Sequence, residues 1–231
     1  LAGVSLAGDR FFYVNPLATD GRRKFNQGTA ERFAWTGCPC CPVNIVRFLP
    51  QVPGFAYATR ADEVFVNLFI AGTARVRLGE NEVAITQKTA YPWEGRVELS
   101  ISPVAPAAFA LRIRIPGWAR ARPVPGDLYR YLEAAAAPVS VAVNGLPAGT
   151  EPRDGFVRIA RTWQRGDAVV VELPMPARRV TACEAVKDDT GRVAIERGPM
   201  VYCAEGVDNA SHIRDRVLPD DASLSIQHLR D

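Results

Sequence analysis

Histidine is nearly absent from this chain, and so are long apolar runs and any large excess of charge. The two histidines, His212 and His228, both lie close to the C-terminus. A histidine-based catalytic triad or a multi-histidine metal site is therefore not expected. No apolar run approaches the roughly 20 residues that a membrane-spanning helix needs. The formal net charge is only +3 and the basic residues are scattered, so neither nucleic acid nor a membrane surface is an expected partner.

The composition is otherwise ordinary for a globular protein, with 48% hydrophobic and 23% charged residues over 231 positions. That length is enough for one large domain or two small ones, and enough to bury a sizeable core. The first residue is Leu1 rather than methionine, and the segment from Leu1 to Asp9 lacks the basic region and the cleavage site of a signal peptide. The chain is therefore expected to be a piece of a longer protein.

Five cysteines are present, and three of them are crowded into four positions. They are Cys38, Cys40, Cys41, Cys183 and Cys203. An odd number with this spacing is a poor disulfide framework, and Cys40 and Cys41 could pair only through a strained vicinal bridge. Cys183 and Cys203 fall inside predicted strands, so we expect them to be small apolar core residues.

The segment after the cysteine cluster predicts one short helix. Pro42 suits the first turn of a helix, and Val43, Val46 and Leu49 recur at three-residue spacing. Pro50 and Pro53-Gly54 are expected to end it.

After residue 54 the pattern of apolar residues changes to period two. The run from Val64 to Ile70 is strongly β-prone, and Leu111 to Ile115 alternates apolar residues with arginine. Roughly a dozen such short runs, with turn signals between them, are typical of a β-sandwich. A short helix is expected around Leu128 to Ala137. The predicted organisation is an irregular cysteine-containing segment at 1–52, strands at 53–118, a connection at 119–138, a second set of strands at 139–205 and a polar tail at 206–231.

The cysteine cluster is the chemically most distinctive feature of the chain. Thiolates are soft ligands that suit zinc, and thiolates just before a helix N-terminus are stabilised by the positive end of its dipole. The spacing does not match the C-x-x-C pairs of zinc ribbons and fingers, so the segment offers at most three ligands. Glu31 could add a ligand or an acid, although a lone acidic loop residue is usually only solvated. A redox-active or vicinal disulfide and buried structural cysteines remain open alternatives.

Five sequence runs occur in the order found in one known family. In chain order they are Phe12-Tyr13-Val14-Asn15-Pro16-Leu17, Trp35-Thr36-Gly37-Cys38-Pro39-Cys40-Cys41-Pro42-Val43-Asn44-Ile45-Val46-Arg47, Val66-Asn67-Leu68-Phe69, Leu111-Arg112-Ile113-Arg114-Ile115-Pro116-Gly117-Trp118 and Gly191-Arg192-Val193-Ala194-Ile195-Glu196-Arg197-Gly198-Pro199-Met200-Val201-Tyr202-Cys203. Together they resemble glycoside hydrolase family 127, the β-L-arabinofuranosidases. The runs span nearly the whole chain, and they correspond to the C-terminal part of the family's proteins.

The resemblance implies a mainly β fold, in which a β-sandwich region follows the C-terminal remnant of an (α/α)6 catalytic barrel at residues 1–52. Family members hold zinc with one glutamate and three cysteines, and one of the thiolates attacks the anomeric carbon. On this chain Cys40 would be the nucleophile and a zinc ligand, and Cys41 would be a second ligand. Cys38 would lie beside the ligands without binding the metal. The other ligands and the glutamate that acts as general acid/base would lie upstream of Leu1.

The implied activity is retaining hydrolysis of β-L-arabinofuranosides or related plant-glycan sugars. A carbohydrate would be the substrate, the missing N-terminal barrel of the same parent chain would be the partner, and this chain alone is expected to be inactive. Two other functions remain open: an accessory carbohydrate-binding or structural β-sandwich, and a thiol redox or metal-binding module. The localisation stays unassigned, with the cytoplasm slightly favoured because the cysteines are expected to be reduced.

The resemblance also predicts an unsupported N-terminal segment. Residues 1–50 would be the last turns of a helical barrel whose packing partners are missing. Apolar groups such as Phe11, Phe48 and Leu49 are therefore expected to be exposed, and the segment is expected to be poorly stabilised.

Overall fold

A computed structural model describes the chain over residues 3–5, 7–14, 20, 22–35, 37, 40–134, 137–206, 209 and 213–227, without the side chains of residues 41, 42 and 214. The chain divides into two compact units, Leu1–Val52 and Pro53–Asp231. Within these described ranges, no helix is both long enough and apolar enough to cross a membrane.

The main element of the first unit is helix α1, Cys40–Phe48, which runs directly into a 3-10 helix over Leu49–Phe55. The predicted helix is confirmed, although it starts two residues before Pro42. The α-helix ends at Phe48, two residues before Pro50, and the 3-10 helix ends at Phe55, directly after Pro53-Gly54, so the predicted end of the helix is confirmed. A proline with φ fixed at about −65° fits a 3-10 turn, and the missing N–H costs little in so short an element.

Short β-bridges and aromatic pairs organise the chain upstream of α1. Phe11 and Phe33 exchange backbone hydrogen bonds of 3.0 and 3.1 Å, and their ring centroids lie 5.2 Å apart. Phe11 is therefore half-buried, and the prediction that it is exposed is wrong. Phe48 and Leu49, in contrast, are 52% and 59% exposed, as predicted.

The second unit is built from three sheets, and the predicted mainly β fold is confirmed. The strand bounds are β1 Tyr57–Arg60, β2 Glu63–Val66, β3 Gly72–Leu78, β4 Asn81–Thr89, β5 Arg96–Pro103, β6 Ala107–Arg114, β7 Tyr129–Tyr131, β8 Ser140–Val143, β9 Leu146–Pro147, β10 Phe156–Trp163, β11 Asp167–Glu172, β12 Ala177–Ala182, β13 Ala194–Arg197 and β14 Met200–Tyr202, with further 3-10 turns at Trp118–Arg120, Lys187–Asp189 and Ile213–Asp215. The first sheet has the order β1-β2-β6-β10, the second β3-β4-β5-β11-β8-β9, and the third β14-β13-β12-β7. Most neighbours are antiparallel, but β2 and β6 are parallel.

The first two sheets contribute to one hydrophobic core. The period-two pattern sets which side chains enter it: in β5, for example, Val97, Leu99 and Ile101 are buried. Trp163, at the end of β10, is fully buried and donates its indole N–H to the Phe109 carbonyl at 3.1 Å. Strands from both predicted sets occur in each of these sheets, since β10 pairs with β6 and β11 pairs with β5.

The third sheet is smaller, and its buried groups are mostly polar. Arg178 and Glu196 are buried directly opposite each other in register. The Arg178 guanidinium lies 3.4 Å from the ring centroid of Tyr131, whose hydroxyl donates to the Glu196 carboxylate. Burial raises the pKa of Glu196 above its ordinary value. The helix expected around residues 128–137 is contradicted here, because residues 129–131 form β7 and pair with β12.

Candidate active site

Cys40 is the first residue of α1, and its side chain is exposed. The N-terminus of a helix carries a partial positive charge, which favours the thiolate form of a cysteine placed there. The Asn44 side-chain amide donates to the Cys40 carbonyl at 2.9 Å, one turn along the helix. The position suits a nucleophile, since the sulfur is accessible and sits at the favourable end of the helix.

Tyr13 brings a hydroxyl to the same sulfur. Its Oη lies 3.3 Å from Cys40 Sγ, within hydrogen-bonding distance, and either atom could donate. The two residues are 27 positions apart in the chain, so the contact depends on how the first unit folds. Tyr13 was part of a sequence run that resembled the family, but no pattern in the sequence indicated that it meets the cysteine.

A buried asparagine holds the backbone of the Tyr13 segment. Asn26 is 0% exposed, and its side-chain oxygen accepts from the N–H groups of Tyr13 and Val14 at 2.8 and 3.4 Å. Its side-chain amide donates to the Glu31 carbonyl at 2.7 Å. Asn26 therefore connects the backbone at Tyr13 and Val14 to the turn that follows Phe25. No pattern in the sequence had indicated this role for Asn26.

Cys40 is the member of the cysteine cluster whose side chain the structure describes. Cys38 lies outside the described residues, and the side chain of Cys41 is not described. Glu31 is exposed, and its backbone N–H donates to Thr29 Oγ1 at 3.1 Å. Among the described side chains, no group of three or more His, Cys, Asp or Glu residues could hold a metal ion.

The two cysteines of the second unit do not behave as core residues. Cys183 is half-buried just after β12, and Cys203 is exposed just after β14. The prediction of buried core cysteines is therefore wrong for Cys203. The reason is that β14 lies at the edge of the third sheet, where the chain leaves the sheet before residue 203.

Three family descriptions match the chain in consecutive segments. The "Beta-L-arabinofuranosidase, GH127 catalytic domain" matches residues 1–54, the "Beta-L-arabinofuranosidase, GH127 middle domain" residues 63–175, and the "Glycoside hydrolase family 127 C-terminal domain" residues 177–229. The chain belongs to glycoside hydrolase family 127. The predicted family is thus confirmed, and Tyr13, Asn26 and Cys40 all lie in the segment that matches the catalytic domain of family 127.

Similar proteins of family 127 include one curated enzyme and several solved structures. A non-reducing end β-L-arabinofuranosidase of Bifidobacterium longum subsp. longum is 34% identical over 241 residues, covering 98% of this chain and 34% of its own length. A solved family 127 β-L-arabinofuranosidase from Geobacillus stearothermophilus T6 is 34% identical, with a TM-score of 0.82 over 96% of this chain and 33% of its own. Another solved family 127 β-arabinofuranosidase is 42% identical, with a TM-score of 0.80 over 90% of this chain and 31% of its own. The chain spans about a third of the length of these relatives.

Proposed function

We propose that this chain is the C-terminal part of a retaining glycoside hydrolase that acts on β-L-arabinofuranosides or related plant-glycan sugars. The observation that carries the proposal is the exposed Cys40 at the N-terminus of α1, inside the segment that matches the family's catalytic domain. The named activity of the relatives supports the substrate class.

Cys40 is the proposed nucleophile of a two-step reaction. In the first step its thiolate attacks the anomeric carbon, while a glutamic acid elsewhere in the parent chain protonates the departing glycosidic oxygen. In the second step water displaces the sulfur, and the glutamate accepts the proton from the water. Two displacements at one carbon return the original configuration, which is why the proposed outcome is retention.

Zinc is the proposed cofactor, with Cys40 and Cys41 as the ligands on this chain and Cys38 beside them. A zinc site needs four ligands, and the described residues contribute the Cys40 sulfur without a surrounding ligand cluster. The donor set of this chain therefore fits zinc chemically but is incomplete. The remaining glutamate and cysteine are proposed to come from the longer parent. When bound, zinc would keep a coordinated thiol deprotonated at neutral pH.

The exposed surface of α1 supports the proposal that the rest of a catalytic barrel is the partner of this segment. Val43, Ile45, Val46 and Phe48 are 52–67% exposed, so apolar side chains point to solvent from several sides of one short helix. A helix that is apolar all round is normally buried among other elements. The partner proposed here is the upstream barrel of the same polypeptide.

The nucleophile is tested by replacing Cys40 with alanine in the longer parent and measuring hydrolysis of a nitrophenyl β-L-arabinofuranoside. We expect activity to fall by at least about 10³-fold, as expected when a covalent nucleophile is removed. Cys203→Ala is the matched control, because that exposed cysteine lies in the second unit and is expected to leave activity unchanged. A Cys40→Ala protein that keeps parental activity would show that the nucleophile is another group.

The 231-residue chain itself is expected to be inactive on the same substrate, because the proposed acid/base is not part of it. Hydrolysis by the purified chain would contradict the proposal that the acid/base lies elsewhere.

An accessory carbohydrate-binding or structural function is the second candidate, favoured by the second unit's own hydrophobic core. Specific retention of the chain on an arabinan column, together with an active Cys40→Ala parent, would favour that alternative over catalysis.

A further inference from the structure

We propose that Tyr13 is a positioning residue for the nucleophile, and that its hydroxyl stabilises the Cys40 thiolate when sulfur leaves the sugar in the second step. This inference rests on the proposed function of Cys40. The evidence is the separation of 3.3 Å between Tyr13 Oη and Cys40 Sγ. A thiolate has no proton to give, so in the reactive form of the pair the tyrosine hydroxyl must be the donor.

The contact restricts the direction in which the sulfur points. A cysteine side chain has three staggered χ1 positions, which differ in where they place the sulfur. A hydrogen bond from a fixed hydroxyl favours the position that keeps Sγ near Tyr13. The nucleophile is thereby held in one orientation before the sugar arrives. The same hydrogen bond stabilises the attacking thiolate, so the two effects oppose each other in the first step.

Tyr13 can act as a fixed point because its backbone is held from several directions. Asn26, which is fully buried, accepts the Tyr13 N–H at 2.8 Å. The preceding residue, Phe12, donates its N–H to the Gly3 carbonyl at 2.7 Å, and its ring lies 5.3 Å from that of Phe25. Phe11 and Phe33 pair one residue further back. These contacts hold the backbone of the segment that carries Tyr13, while the Tyr13 hydroxyl reaches Cys40.

The charge on sulfur changes in opposite directions in the two steps. When the glycosyl-enzyme forms, the thiolate electron pair becomes the new S–C bond and sulfur loses its negative charge. When water attacks the anomeric carbon, its proton passes to the carboxylate of the parent, the S–C bond breaks and its electron pair returns to sulfur. A hydrogen bond to sulfur strengthens as that charge returns. The Tyr13 hydroxyl therefore assists the second step, and it gives the first step no such help.

The test is Tyr13→Phe in the longer parent protein, assayed with an aryl β-L-arabinofuranoside whose leaving group is good enough that the second step limits turnover. We expect kcat to fall about tenfold or more, as for loss of a hydrogen bond to a charged group. KM should fall with it, so that kcat/KM, which reports the first step, stays within about threefold of the parental value. Intact-protein mass spectrometry after rapid acid quenching, at a substrate concentration below the parental KM, should show a larger steady-state fraction of glycosyl-enzyme.

Any other pattern overturns the inference. A parental kcat would show that the contact is unimportant, and a fall in kcat/KM without added glycosyl-enzyme would place Tyr13 in the first step or in substrate binding. Loss of bound zinc or of the parental circular dichroism spectrum would make the hydroxyl a structural group. Tyr129→Phe is the matched control, since it removes a tyrosine hydroxyl that donates to Asp189 in the second unit, and it should leave all three readouts unchanged.

The Cys40→Ala protein separates this inference from the function on which it rests. If Cys40→Ala is inactive and forms no adduct while Tyr13→Phe behaves like the parent, the nucleophile stands and only the role of Tyr13 is wrong. If Cys40→Ala remains active, the proposed mechanism fails and the inference about Tyr13 fails with it.

Discussion

Glu63, on β2, accepts hydrogen bonds from an arginine on each of the other three strands of the first sheet. Its carboxylate accepts from Arg60 on β1 and Arg112 on β6, each at 2.8 Å, and from Arg158 on β10 at 3.1 Å. Hydrogen bonds from these guanidinium groups, with Arg112 as the largest cause, hold the pKa of Glu63 at about 2, below its ordinary value of 4.5. One carboxylate thus links all four strands of the first sheet.

We predict that the stabilisation from Glu63 disappears in acid. Because the folded-state pKa is depressed, the carboxylate stabilises the fold above its unfolded pKa near 4.5, and this contribution is lost as the pH falls towards about 2. Urea unfolding of the chain should therefore show Glu63→Gln to be less stable than the parent at pH 7, with a difference that shrinks between pH 4 and pH 2. Glu98→Gln, which affects an exposed pair with Arg96, should have a much smaller effect at pH 7. A Glu63→Gln difference that stays constant with pH would contradict the assignment.

At the scale of single elements, the backbone of Leu173 comes so close to Gly95 that only glycine fits there. The alternation of apolar residues in the strands does not explain this glycine. Gly95 immediately precedes β5, and its carbonyl accepts from the Leu173 N–H at 3.0 Å, extending the pairing of β5 with β11. A Cβ placed on Gly95 would lie 1.8 Å from the Leu173 carbonyl oxygen. Since both partners are backbone atoms in paired strands, neither can move without disturbing the sheet.

We therefore predict that Gly95→Ala destabilises the chain by about 3 kcal/mol or more, at the upper end of overpacking effects. The measurement is urea unfolding at neutral pH, followed by tryptophan fluorescence. Gly149→Ala is the matched control, because a Cβ there meets nothing within 4 Å, and its stability should stay within about 0.5 kcal/mol of the parent. Equal stability of the two variants would show that the strands separate easily at this point.

One strand prediction and one helix prediction show how tertiary context changes local preference. The β-prone run from Val64 to Ile70 forms a strand only as far as Val66, because the Asn67 N–H turns to the Ala56 carbonyl and Phe69 packs against Tyr91. In the connection, the alanine-rich stretch near residue 133 suggested a helix, but Tyr131 pairs with Val180 in the third sheet. Pairing with a partner some 50 residues away outweighs helix propensity, which is worth only tenths of a kcal/mol per residue.

Over the whole molecule, the two units differ in how much apolar surface they bury. The second unit buries an extensive apolar cluster, whereas α1 of the first unit leaves Val46 and Phe48 more than half exposed. Elements with few buried apolar contacts open locally at low free-energy cost. We therefore expect the first unit to be the less stable one in the chain as given.

Limited trypsin digestion of the chain tests this expectation. Early cuts should fall within residues 1–50, for example after Arg22, Arg23 or Arg47, while residues 55–205 survive as a resistant core. In the longer parent the same sites should become protected, because the proposed barrel would cover α1. Early cleavage confined to residues 55–205, with the first unit spared, would contradict the prediction.

The sequence by itself determined the family, the mainly β class and the short helix that begins beside the cysteine cluster. These follow from local information: period-two alternation, prolines at the ends of elements, and conspicuous runs such as the one around Cys40. The tertiary structure alone decided which distant side chains meet, as in Tyr13 with Cys40, Asn26 with the Tyr13 backbone, and Glu63 with Arg158. Those contacts depend on strand register and on the path of irregular segments. Both are fixed by packing across the whole unit rather than by neighbours in the chain, so no local pattern could have predicted them.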